Sequence, residues 1–277
     1  MTLLHTDIEF FSPLSIKEHP LDVYAAAPGS KIILNAYAFG DGPVKVWEPG
    51  DKAPELREAL RDPSVMCVAW NINYERTVYR AKGLDIPLER WIDVMVLARY
   101  AGLPGKLKNC AKVPLLRVPA EDKTKSETLL INKFCMPAKD GTVKTKANAP
   151  EDWELFREYC RKDVLTMRHI YNWLLPRFPL PARERELWLL DQRINERGLP
   201  VDAKLARAGM RETARLIQEA NHQLKDLTGL DNPNSVQQML GWAKDRGYPY
   251  DSLGKDFLKQ HLTACPLVNN MQNIGAL

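Results

Sequence analysis

The chain has 277 residues, enough for a sizeable core and for one to two domains. Its 39 Lys and Arg against 35 Asp and Glu give a net charge of +4, a balance that neither requires nor excludes a nucleic-acid partner. Five cysteines form an odd set with no Cys-x-x-Cys spacing, which argues against a disulfide framework and against a zinc site. No signal peptide and no apolar run of membrane-spanning length are evident, so the expectation is a soluble, intracellular, cytoplasmic protein with no membrane partner.

In chain order, the pattern begins as α/β. Leu3 to Phe10 reads as a short buried strand, closed by Ser12-Pro13. Lys31–Phe39 is a second apolar run. Gly40-Asp41-Gly42-Pro43 turns it into a third short strand, Val44–Trp47. Pro54–Leu60 has helical spacing, and Ser64–Trp70 is nearly all apolar, as a central strand is. Asn71–Lys82 reads as a helix ended by Gly83. Trp91-Ile92 is a brief strand, and Asp93 stands where it caps the helix Val94–Ala101. These elements imply a mixed sheet with helices on its faces.

Charge then shifts. Residues 1–104 carry 11 Lys and Arg against 14 acids, whereas residues 105–148 carry 10 against 4. An acidic body beside a basic segment suits a metal site next to a polyanion track, and equally suits a solvated surface loop. A short helical piece is expected near Thr128–Phe134. From Pro150 the pattern is helical almost to the end, with Trp153, Phe156, Tyr159, Cys160, Val164, Met167 and Ile170 at helical spacing. Pro176, Pro179 and Pro181 mark a boundary, so the expected domains are 1–178 and 179–277. Beyond it lie the amphipathic stretches Arg183–Glu196, Ala203–Leu227 and Ser235–Arg246, with Asp202 and Asn234 or Ser235 as caps.

Within the first strand, Asp7 and Glu9 stand at i and i+2, so both face the same side of the sheet. Two like charges buried together need compensation, and a hard divalent cation with oxygen ligands supplies it. Alone, the pair is equally a strand end at which both acids reach water. Glu75 opens the helix that follows the central strand, at the strand's carboxyl end, where sites gather in such sheets. As a first-turn acid it also simply complements the helix dipole. Tyr159 and Asp163 share a helix face at i and i+4. Read separately, Tyr159 is a packed aromatic, and Asp163 pairs with Arg161, Lys162 or Arg168. Together the four acids can converge on two divalent ions roughly 3.5–4 Å apart that clamp a phosphodiester.

The order Asp-x-Glu at 7–9, Asn-x-x-Tyr-acid at 71–75 and Tyr-x-x-x-Asp at 159–163 resembles the tyrosine-bearing (DEDDy) branch of the four-carboxylate 3′–5′ exonucleases. Trp91–Pro104 and Ile131–Pro137 resemble the exonuclease domain of phage-type family A DNA polymerases. Arg193–Asp202 with Leu230–Ser235 resembles the start of the polymerase domain of that family. The resemblance implies a ribonuclease H-like α/β fold, with a mixed five-stranded sheet and flanking helices, followed by an all-α segment. It implies metal ligation by Asp7, Glu9 and Asp163, a second metal on Glu75 through water, and a nucleophilic water on Tyr159. Two Mg2+ or Mn2+ ions are the implied cofactors. Asn71 is implied to place the 3′ end, and Tyr74, Lys123, Lys125 and Lys133 are the further substrate-binding candidates.

At 75 the pattern commonly carries Asp, and Glu stands here. Motifs of the Asp-Tyr-Ser or His-Asp-Glu type are not found after residue 200. The chain then reads as a truncated polymerase, a polymerase split over two chains, or an exonuclease with a helical appendage. The expected activity is stepwise hydrolysis of single-stranded DNA or frayed 3′ ends to nucleoside 5′-monophosphates. A polymerase chain is a second candidate partner, and a phage or prophage in a bacterial host is a candidate source. Two alternatives stand beside this: a ribonuclease-D-like RNA exonuclease, and a catalytically impaired DNA-binding or polymerase-associated remnant.

Overall fold

The computed structural model describes residues 2–119, 127–138 and 140–261. In order these form β1 (Thr2–Phe11), α1 (Leu21–Ala26), β2 (Lys31–Phe39), β3 (Lys45–Trp47), α2 (Pro54–Arg61), β4 (Val65–Ala69), α3 (Asn73–Ala81), β5 (Trp91–Asp93), α4 (Val94–Tyr100) and α5 (Leu107–Ala111). They continue with α6 (Glu127–Phe134), α7 (Pro150–Leu174), α8 (Ala182–Arg197), α9 (Ala203–Thr228), α10 (Val236–Lys244) and α11 (Lys255–His261). Two compact units result, Met1–Glu196 and Arg197–Leu277.

In the first unit the sheet order is β3-β2-β1-β4-β5. β2 runs antiparallel to β1 and β3, while β1, β4 and β5 are parallel. This is the ribonuclease H-like mixed sheet that the sequence implied. Strand β1 is central because it is buried on both faces. Its residues alternate between two cores. Leu4, Ile8 and Phe10 meet the side built with α1, α2 and α3, whereas Leu3 and Phe11 meet the side built with α4 to α7. His5 lies edge-on to Tyr171 of α7, with ring centroids 5.5 Å apart.

Helix α7 is seated by Trp153, Phe156, Cys160, Val164, Met167, Ile170, Tyr171 and Leu174, all buried. Each large apolar side chain among them contributes about 1.5–3 kcal/mol. That face fixes the rotation of the helix, and with it the edge that carries Tyr159 and Asp163. Helix α8 packs with the first unit through Trp188 and Leu189, and Arg185 donates to the Glu89 and Trp91 carbonyls. The division into units therefore falls 18 residues beyond the proline-rich boundary.

In the second unit, α9 is capped by Asp202, which accepts from the Lys204 and Leu205 amides, and ends on Gly229 in the left-handed region. Ser235 caps α10. Among the described residues no helix is long and apolar enough to cross a membrane.

Candidate active site

The site is built at the carboxyl end of β1. The last β1–β4 pair is His5 with Val68. Beyond it β1 keeps only β2 as a neighbour, and Asp7 pairs with Ala36 and Glu9 with Leu34. The β4 side of Asp7 and Glu9 is thus left without a strand, at the edge where chains leaving parallel strands gather ligands. Glu9 is buried and Asp7 half-buried.

The segment leaving β4 turns sharply into α3. Asn71 makes that turn with φ at 62°, in the left-handed region that Asn tolerates better than most residues. Asp93 holds it from the next strand. Its carboxylate accepts the Asn71 amide at 2.9 Å and the Ile72 amide at 3.3 Å, and it also accepts the Met95 amide at 2.9 Å as the cap of α4. Glu75 follows in the first turn of α3, only 3% exposed, and its Oε2 has no hydrogen-bond partner. One turn later, the Tyr79 hydroxyl reaches Thr6 and Asn35. The Asn35 amide satisfies all its neighbours when its oxygen accepts from Tyr79 and its nitrogen donates to Thr6 and to the Asp7 and Ala36 carbonyls. Helix α3 is therefore pinned on both sides of Glu75, to Asp93 of β5 before it and to Thr6 of β1 and Asn35 of β2 after it.

Helix α7 supplies the third wall. Tyr159 is stacked on Phe156, with centroids 6.1 Å apart, and burial, then the charges of Glu9, Asp163 and Asp7, act against ionisation of its hydroxyl. Both residues are half-buried at the border of the packed face. Among the basic neighbours, Arg161 pairs with Glu158, and Arg168 donates to the Gly40 and Gly42 carbonyls.

The four acids act on one another. Burial first, then the charge of Asp163, pushes the Asp7 carboxyl well up from its usual range. Burial, then Asp7 and Asp163, does the same to Glu9. Burial, then Asp7, raises Glu75. Each shift reports a carboxylate whose charge lacks compensation from the protein. Two thiols offer only weak donors to these groups. The Cys160 Sγ is 3.7 Å from Asp7 Oδ2, and the Cys135 Sγ is 3.6 Å from Glu9 Oε2. Ligand atoms of Asp7, Glu9 and Cys160 lie within 4.8 Å of one another. A buried carboxylate oxygen without a partner, in a set of hard oxygen donors, fits divalent cations.

The remaining candidates separate. Asn71 is exposed at its turn. Tyr74 is half-buried, and burial and the charge of Glu9 act against ionisation of its hydroxyl. The Lys133 ammonium is bound to the Asp152 carboxylate across α6 and α7. Lys123 and Lys125 lie outside the described residues. Reading the sequence missed Asp93 as the clamp on Asn71, Tyr79 as the anchor of α3, and both thiols. The helical spacing of Cys160 with Phe156 and Val164 marked it as inward-facing, but nothing in the sequence aimed it at β1.

Fold and site together define a ribonuclease H-like domain with clustered acids at the carboxyl end of its central strand. No protein-family model matches the chain. Over 279 aligned residues it is 38% identical to the DNA polymerase of Bacillus phage SP02, a match over 94% of this chain and 41% of that relative. The chain is a homologue of part of a phage DNA polymerase and spans about two fifths of its length. Among solved structures, Brucella melitensis NrnC is 17% identical with a TM-score of 0.41, over 66% of this chain and 77% of that one. Escherichia coli RNase D is 17% identical with a TM-score of 0.40, over 99% of this chain and 70% of that one.

Proposed function

We propose that the chain is a metal-dependent 3′–5′ exonuclease of the tyrosine-bearing four-carboxylate type, acting on DNA ends. One observation carries this reading: the buried carboxyls of Asp7, Glu9 and Glu75, from a strand and a helix, are pushed up by burial and by neighbouring acids, and the charge of Asp163 on a third element acts on Asp7 and Glu9. Selection for stability alone disfavours such a cluster. In this reading Asp7, Glu9 and Asp163 hold one Mg2+ or Mn2+, and Glu75 holds a second through water. When bound, such ions supply an activated water and stabilise the charge on the leaving oxygen.

The protein's own part is positioning. The Tyr159 hydroxyl, placed by the Phe156 stack within the field of Asp163, orients the attacking water. Asn71 and Tyr74, at the turn before Glu75, meet the 3′-terminal nucleotide. Lys123 and Lys125 track the backbone phosphates. Lys133, whose ammonium pairs with Asp152 at the α6–α7 contact, is a further phosphate contact. The nuclease function is assigned to 1–178, and 179–277 is assigned to the opening of a polymerase-type domain, in line with the polymerase relative. That relative also favours DNA over RNA as substrate.

The test is digestion of matched DNA and RNA oligonucleotides, labelled at either end, with Mg2+, with Mn2+ and with chelator. Metal-dependent loss from the 3′ end of DNA, with nucleoside 5′-monophosphates as products, supports the reading. Preferential digestion of RNA moves the enzyme to the ribonuclease-D-like alternative. No digestion of either leaves a nucleic-acid-binding remnant.

A further inference from the structure

The thiol of Cys160 has no place in the exonuclease chemistry, yet it is fully buried against Asp7. Its Sγ stands 3.7 Å from Asp7 Oδ2 and 3.9 Å from the Asp7 carbonyl oxygen. Zinc binds thiolate at about 2.3 Å and carboxylate at about 2.0–2.2 Å, so neighbouring ligand atoms around one tetrahedral ion stand roughly 3.3–3.8 Å apart. The Cys160–Asp7 spacing already matches this. The three ligand atoms of Asp7, Glu9 and Cys160, all within 4.8 Å, need only small side-chain rotations to close around an ion. A second feature points to a cation here: the buried Glu75 carboxylate, which interacts with Asp7, has an Oε2 without a partner.

Resting on the reading of Asp7 and Glu9 as metal ligands, we propose that Cys160 is a third ligand for soft divalent ions. With it the site takes Zn2+ or Co2+ as a mixed thiolate–carboxylate complex, at the position meant for a hard ion. Mg2+ does not recruit the thiol, because it prefers oxygen and keeps its waters. Zn2+ and Co2+ do, and binding releases the thiol proton to solvent. The consequence is a site that selects Mg2+ or Mn2+ for work and is blocked by zinc. Cys135, whose Sγ faces Glu9 Oε2 at 3.6 Å, is the internal control, a thiol beside the same acids but outside that three-atom group.

The experiment is titration of the full chain with Co2+ alone, followed by near-ultraviolet absorption for the sulfur-to-cobalt charge-transfer band. The expected result is a saturable band in the parent and in Cys135→Ser, and none in Cys160→Ser. Zn2+ erases the band at equimolar addition, and a hundredfold excess of Mg2+ does not. Zn2+ affinity falls at least about tenfold in Cys160→Ser, measured by competition with a chromophoric chelator. If Cys160→Ser fails to fold by circular dichroism, Cys160→Ala takes its place. No band in the parent, a band kept in the Cys160 variant, or a band lost only with Cys135 overturns the proposal. The exonuclease reading is scored separately, on 3′ digestion in Mg2+. A chain with the band and no digestion loses that reading and keeps the thiolate ligand, and digestion without the band does the reverse.

Discussion

The carboxylate of Asp93 accepts the backbone amide of Asn71 at 2.9 Å, joining the first helical turn of α4 to the left-handed corner that opens α3. Asp93 is itself buried, and three amides share its two oxygens. Through this bond the β5 strand fixes where Glu75 enters the site.

Asp93→Ala removes a helix cap, about 1 kcal/mol, and leaves two corner amides without their acceptor, about 1–3 kcal/mol more. Asp93→Asn keeps one oxygen and with it the Asn71 and Met95 bonds, so it costs less. Thermal unfolding of both variants should rank them in that order. Turnover should fall with the alanine variant and recover partly with asparagine. Equal melting temperatures for the two would remove the clamp.

Asp7→Ala should abolish activity without unfolding the chain. Removing one of several uncompensated carboxylates is neutral or stabilising when no ion is bound. The sign of the pH dependence follows. Asp7, Glu9 and Glu75 have raised carboxyls, so their stabilising contribution is complete below the ordinary carboxylate range. It is lost as pH rises through their folded-state values. In chelator, the melting temperature should therefore drop between mildly acidic and neutral pH, and less so in Asp7→Ala. Added Mn2+ should open a gap that widens with pH. A gap that narrows toward neutral pH contradicts the carboxylate cluster.

Tyr159→Phe keeps the stack on Phe156 and loses the hydroxyl on which the charge of Asp163 acts. Turnover should fall about 10²-fold, the lower end for a group acting on a proton or water in the transition state. DNA affinity, by anisotropy in Ca2+, should stay within about twofold, because the hydroxyl acts on the transition state and not on the ground-state complex. Parallel losses of binding and rate would make Tyr159 a stacking residue.

Glu75 is one methylene longer than the usual Asp, and on the proposed reading a contact through water would absorb that length. Glu75→Asp should keep activity or raise it in Mg2+. The parent should work better in Mn2+, which typical oxygen sites bind more tightly. Glu75→Ala should lose orders of magnitude in turnover. If Glu75 only complements the dipole of α3, alanine lowers stability by about 0.3–1 kcal/mol and leaves turnover alone. Buried with an unpartnered oxygen, Glu75 instead predicts an alanine variant at least as stable as the parent in chelator.

Much of this arrangement was legible in the chain because it rests on local patterns. The Asp7–Glu9 alternation, the i, i+4 step of Tyr159 and Asp163, and the caps Asp93, Asp202 and Ser235 all need only neighbours in sequence. What stayed hidden depends on distance. Helix α1 has six residues and buries only Tyr24 and Ala25, too few to show a period. The pairing of Lys133 with Asp152 depends on α6 meeting α7, 19 residues apart in the chain. The reach of Asp93 to Asn71 spans 22 residues, and that of Cys160 to Asp7 spans 153. The proline cluster at 176–181 marked a turn, but Trp188 and Leu189 carry α8 back onto the first unit.

The most direct measurement is release of nucleoside 5′-monophosphate from a 3′-labelled DNA strand, followed in parallel for the parent and Asp7→Asn. With Mg2+ or Mn2+ the parent should release the labelled terminal nucleotide first and shorten the strand stepwise. The asparagine variant, of the same size and without the charge, should release none, and chelator should silence the parent. Retention of the 3′ label by the parent, or equal rates for parent and variant, would contradict a metal-dependent exonuclease centred on Asp7.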